Sequence, residues 1–155
     1  MSADARLVEL GIELPEAFPP AGLYVGAVHT GDLLFLSGAG PVRADGTIIT
    51  GKVGGTVDPD DGREAARLTG LQLLATMRAQ LGSLDRVARV VKIFGMVNGA
   101  PGFNRTPFII DGCSELFIDV FGEAGRAARS AVGLAELPFD IAVEIEAVVE
   151  VRPDP

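Results

Sequence analysis

Apolar residues along the chain fall into two kinds of spacing, alternating or continuous short runs and longer helical stripes, and together these predict the order β-β-α-β-α-β-β. Residues 1–19 show no clear period and read as an irregular lead-in ending at Pro19-Pro20. Residues 22–28 (GLYVGAV) read as a strand, His29 to Asp32 as a turn, and residues 33–38 (LLFLSG) as a second strand, apolar on both faces and therefore interior. A polar, glycine-rich loop follows from Pro41 to Val57. Asp58 then offers an N-cap, Pro59 suits the first helical position, and Asp60 and Asp61 favour the positive end of the helix dipole. Ala66, Gly70, Leu73, Leu74, Met77 and Leu81 form the buried stripe of this helix, with Gly82 as its C-cap. A third strand spans 88–98 and ends at the Gly-Ala-Pro-Gly turn of 99–102. Thr106-Pro107 repeats the cap-then-proline signal, opening a helix whose stripe runs Ile109, Ile110, Cys113, Leu116, Phe117, Val120 and Phe121. Strands over 130–136 and 141–151 finish the chain.

Five strands and two amphipathic helices in this order predict one domain over 1–155, an α+β layer with a mixed sheet and both helices on one face. The short link from Leu137 to Asp140 suggests that the last two strands form an antiparallel hairpin, with Glu136 opposite Ile141. That register would put Arg129, Ala131 and Gly133 on the same face as Glu144 and Glu146. An arginine flanked by small residues leaves room for a ligand, and its planar fork matches a carboxylate. In the first hairpin, Val28 opposite Leu33 would set Tyr24 beside Ser37, with the Gly38 amide open to close approach.

Charge and composition narrow the chemistry. Thirteen Lys and Arg against 21 Asp and Glu give a net charge of −8, without the basic cluster that phosphate backbones require, so nucleic acid is disfavoured as a partner. A single cysteine, Cys113, excludes an intrachain disulfide framework, and it reads as a small buried hydrophobe. A single histidine, His29, placed in a turn, argues against a metal centre or a Ser-His-Asp triad. No stretch is long and apolar enough to span a bilayer, and the first residues lack a secretory pattern, so a cytoplasmic protein is expected. Taken alone, Arg129 would be a surface arginine, and Glu144 and Glu146 a solvated strand face.

Residues 128–132 (ARSAV), Leu137-Pro138 and residues 143–147 (VEIEA) resemble the C-terminal signature of the Rid family, the reactive intermediate deaminases, also called YjgF. Residues 22–25 (GLYV) and 36–41 (LSGAGP) resemble its N-terminal signatures. Residues 51–54 (GKVG), 110–114 (IDGCS) and 120–125 (VFGEAG) echo the longer subgroup that carries an endoribonuclease label. The resemblance implies a chorismate-mutase-like fold and a homotrimer with clefts between subunits. It implies hydrolysis of 2-imino acids, formed from enamines, to 2-keto acids and ammonia, with no metal or organic cofactor. It further implies that Arg129 binds the substrate carboxylate, that Glu144 holds the attacking water, and that Tyr24, Ser37 and Gly38 line the pocket.

The chain departs from the best-known deaminases at Ala131, where they have Cys, at Asp111, where they have Asn, and at Ser114, where they have an aromatic residue. Arg126-Ala127 also stands where the long subgroup has a histidine. The Ala131 backbone still offers a donor and an acceptor, whereas Asp111 beside the pocket opposes an anionic substrate. Two other functions share parts of this pattern. A regulatory trimer could bind small carboxylates at Arg129 without catalysis. An endoribonuclease would need a cationic groove and an acid–base pair, which the charge and the lone histidine oppose.

Overall fold

The computed structural model describes residues 2–153. It contains helices α1 (Ala3–Glu9), α2 (Pro59–Leu81) and α3 (Thr106–Phe121), and strands β1 (Ala27–Thr30), β2 (Leu33–Ala39), β3 (Val87–Asn98), β4 (Ala128–Leu134) and β5 (Val143–Val151). The five strands form one mixed sheet in the order β1-β2-β5-β3-β4. Only β3 and β4 pair in parallel.

The expected final hairpin does not form. β4 pairs with β3 alone, and β5 lies between β2 and β3, antiparallel to both. The cause is the crossover. A helix between parallel strands returns the chain to the same end of the sheet, so α3 places β4 on the outer side of β3. That leaves the slot between β2 and β3 for β5. Its residues suit a central strand, since Val143, Ile145, Ala147, Val149 and Val151 are all buried on one face.

The first hairpin is also shifted. Thr30 stands opposite Leu33 and Val28 opposite Phe35, so His29 belongs to β1 and the turn is the pair Gly31-Asp32. Gly31 has φ +56°, the left-handed backbone that two-residue hairpin turns demand. The N-terminal segment is not irregular throughout. Ser2 caps α1 by accepting from the Ala5 amide at 3.1 Å, and Asp85 accepts from the Ala3 amide at 2.6 Å. Seven residues are too few to display a period, and this helix depends on tertiary anchors.

α2 and α3 behave as their stripes predict. Leu73, Leu74 and Met77 meet Ile109, Ile110 and Phe117 over Ile93, Ile145 and Val149 of the sheet, each no more than 1% exposed. Burying each such side chain stabilises the fold by about 1.5–3 kcal/mol. The cap of α3 differs slightly. Arg105 takes the N-cap position, while the Thr106 hydroxyl donates to the Ala131 carbonyl at 3.0 Å and so ties the helix start to β4. The opposite face of the sheet carries no helix. Val28, Phe35 and Val132 stay exposed there, and Lys92 Nζ donates to Ser130 Oγ at 3.2 Å. Among the described residues no helix is long and apolar enough to cross a membrane.

Candidate functional site

Four of the residues singled out in the sequence meet at one cavity of about 380 Å³, namely Tyr24, Ser37, Gly38 and Glu144. The cavity opens where β1 stops covering β2, since Ala27 opposite Leu36 is the last β1–β2 pair and a register shift follows between Leu36 and Ala39. The chain before β1 is held over this gap by Ser37. Its hydroxyl donates to the Val25 carbonyl at 2.6 Å and its amide to the Gly26 carbonyl at 2.9 Å. Tyr24 therefore lies in the crossing segment, outside β1 and not opposite Ser37. Its ring is half exposed, and its hydroxyl accepts from the Ala21 amide at 3.1 Å.

Glu144 alternates with the buried Val143 and Ile145, so its side chain leaves the sheet on the helix-free face. It is half-buried, and a β-carbon on residue 38 would collide with its carboxylate. Glycine at that position is what admits the carboxylate. Burial, and secondarily the charge of Glu146, raise the Glu144 pKa above the ordinary carboxylate value. A carboxylate so perturbed at a cavity wall has the character of a general base.

Gln72 and Thr76 of α2 also line the cavity. Gln72 is 3% exposed, and its Oε1 has no hydrogen-bond partner. The sequence reading passed over both residues because they lie within a helix recognised by its stripe. The available signal was a glutamine directly before Leu73-Leu74, at a buried position. Phe18 and Phe139, on irregular segments, were missed because no period marks them.

Arg129, Asp111 and Ala131 form a second group, away from this cavity. Arg129 stands opposite Ile93 on β3, and Ala131 opposite Gly95, so both lie on the helix-covered face. Arg129 Nη1 donates to Asp111 Oδ1 at 2.7 Å and to Ser114 Oγ at 3.0 Å, both on α3. Asp111 also has Arg63 Nη1 at 3.9 Å from its other oxygen, so it sits between two guanidinium groups. Arg63 in turn pairs with Glu115 at 2.5 Å and lies 4.7 Å from the centre of the Phe108 ring.

The expected meeting of Arg129 with Glu144 and Glu146 within one chain is thus overturned. Gly133 faces Val97, and Glu144 faces Met96. β4 is separated from β5 by β3, about 10 Å across the sheet, and the two side chains leave opposite faces. Among the described residues no three His, Cys, Asp or Glu side chains converge as a metal site would require.

Comparison with known proteins identifies the family. Residues 4–146 match the family described as "YjgF/chorismate mutase-like, putative endoribonuclease". Protein TCP17 of Trypanosoma cruzi is 46% identical over 149 residues, covering 96% of this chain and 93% of that protein. A 2-iminobutanoate/2-iminopropanoate deaminase of Dermatophagoides farinae is 32% identical over 142 residues, covering 91% and 95%. A crystal structure from Shewanella oneidensis, described as a "putative endoribonuclease", superposes with a TM-score of 0.93 at 28% identity, covering 97% of this chain and all of that one. The fold is the chorismate-mutase-like α+β layer, and the chain belongs to the YjgF/Rid family.

Proposed function

We propose that this protein hydrolyses small reactive 2-imino acids and their enamine tautomers to 2-keto acids and ammonia. The observation that carries the reading is the half-buried Glu144, of raised pKa, set against Gly38 in a cavity shared with Ser37 and Tyr24. A relative at 32% identity named for this reaction supports it. In the proposed reaction Glu144 takes a proton from water as the water oxygen bonds to the imine carbon, the C=N π bond breaks, and the nitrogen, protonated as the iminium, becomes the amine of an amino-alcohol. Glu144 then returns its proton to that amine, the C–N bond breaks to release ammonia, and the hydroxyl loses its proton to solvent as its oxygen becomes the keto oxygen. General-base help of this kind contributes about 10²–10⁴-fold. Tyr24 and Ser37 orient the substrate, and Arg129 grips its carboxylate.

The last role requires a second copy of the chain. Arg129 and Glu144 leave opposite faces of the sheet, so a small ligand touching both must bridge two molecules. The exposed apolar positions Val28, Phe35 and Val132 on the helix-free face suit such an assembly. We propose that this assembly is the homotrimer that the family resemblance implies, and the same resemblance is the basis for a cytoplasmic location and a site that works without metal or organic cofactor. Sedimentation measurements test the assembly, and a fully active monomer would refute it.

A second reading, a non-catalytic carboxylate-binding trimer, draws support from Asp111, which already occupies Arg129. One assay separates the two. 2-Iminobutyrate or 2-iminopropionate is generated in situ and keto-acid release is followed. Acceleration that is lost in Arg129→Ala supports hydrolysis. No acceleration, with measurable 2-ketobutyrate binding, supports the binder. A ribonuclease is opposed by the charge of −8.

A further inference from the structure

The cavity beside Glu144 is lined largely by apolar residues, among them Phe18, Pro19, Val42, Ile48, Phe139 and Ile141. At about 380 Å³ the whole space falls in the range that holds drug-sized ligands. A three-carbon imino acid would fill only a fraction of this mostly apolar space.

Phe139 is the most informative wall. It is 80% exposed, although it is a large apolar ring. Its backbone is left-handed at φ +57°, and Asp140 follows at φ +56°. Two successive non-glycine residues in this conformation are costly and persist only where the surroundings impose them. Here the restraint is visible. Asn98 Nδ2 donates to Asp140 Oδ1 at 2.9 Å, and the Gly51 amide donates to the Asp140 carbonyl at 2.8 Å. The turn is held in a strained form that keeps an aromatic ring at the cavity instead of in the core.

We infer that the substrates are imino acids with bulky apolar side chains, branched aliphatic or aromatic, seated in this chamber with Phe139 as a specificity-determining wall. The inference rests on the hydrolysis proposed above and narrows its substrate class. The reacting carbon lies at Glu144, and the side chain extends toward Phe139 and Ile48.

The test uses imines generated in situ by an amino-acid oxidase from alanine, 2-aminobutyrate, leucine and phenylalanine, and follows their loss by semicarbazide trapping. Each buried methylene is worth about fourfold, so kcat/KM for the leucine- and phenylalanine-derived imines should exceed that for the alanine-derived imine by at least about tenfold. Phe139→Ala, at an exposed position, should shrink that ratio, and Ile48→Trp should shrink it further by filling the chamber. Equal rates across the series, or a preference for the smallest, overturn the inference while leaving hydrolysis standing. Calorimetry with pyruvate, 4-methyl-2-oxopentanoate and phenylpyruvate reads the chamber without catalysis. If no imine is accelerated but the bulky keto acids bind more tightly, and Phe139→Ala removes that advantage, the chamber stands and hydrolysis falls. If no imine is accelerated and none of the keto acids binds, both fall.

Discussion

Gly38 and Glu144 are fitted to each other, because the space a β-carbon would fill at residue 38 is taken by the Glu144 carboxylate. A methyl group there must push the carboxylate out of its place. Gly38→Ala should therefore lower kcat at least about tenfold, as the proposed general base loses its position. Circular dichroism should report an unchanged fold, since the displaced atoms are the far end of a side chain. Full activity in this variant would mean that Glu144 does not act from where it lies.

The raised Glu144 pKa fixes the direction of two pH effects. In the proposed role of base Glu144 works only when ionised, so activity should fall on acidification at a less acidic pH than for an ordinary glutamate. Stability runs the other way. Between the unfolded and the higher folded pKa the native state binds the extra proton, so stability declines as pH rises through that window. Glu144→Gln should abolish the acid limb of the rate profile, reduce the rate about 10²–10⁴-fold, and make the protein more stable than the parent at neutral pH. Paired pH–rate and denaturant titrations measure both.

Asp111 accepts from Arg129 at 2.7 Å, so it would compete with the carboxylate proposed to bind there. Both partners are partly exposed, so the pair is worth about 1 kcal/mol at most. Asp111→Asn should tighten 2-keto acid binding by about fivefold, while Arg129→Ala should abolish it. Calorimetry on the two variants checks this, and weaker binding in Asp111→Asn would show that the carboxylate organises the site instead of opposing it. Arg63, 3.9 Å from the other Asp111 oxygen, offers that carboxylate a second partner when a ligand takes its place.

Cys113 is fully buried, and desolvation pushes its thiol up to about 12. It should resist a disulfide reagent in the native protein and react fully only in denaturant, since the thiolate is the reactive species. Rapid native labelling would indicate that the α2–α3 packing opens far more often than its burial implies.

What the sequence disclosed depended on how local the determining physics was. Helical stripes and caps are local, so α2 was legible from Asp58 to Gly82 within a residue. Strand alternation is local too, and the residues of β2, β3 and β5 were read nearly as they stand. Pairing is not local. The link between β4 and β5 looked like a hairpin, yet the crossover through α3 decided the partner of β4, and the faces of Arg129 and Glu144 followed from that. Tyr24, Ser37, Gly38 and Glu144 do meet, although the register that first joined Tyr24 to Ser37 was wrong. Ser37 holds the segment through the Val25 and Gly26 carbonyls, a contact that no periodicity reveals. Gln72 and Phe139 were hidden for opposite reasons, one inside a strong helical pattern and the other outside any pattern.

The position of β5 has a consequence for biosynthesis. It follows the other four strands in the chain, yet it forms the seam that joins β1-β2 to β3-β4. Until residues 143–151 have been translated, the β1-β2 and β3-β4 segments have no strand to join them, so closure of the sheet is a late, long-range event in folding.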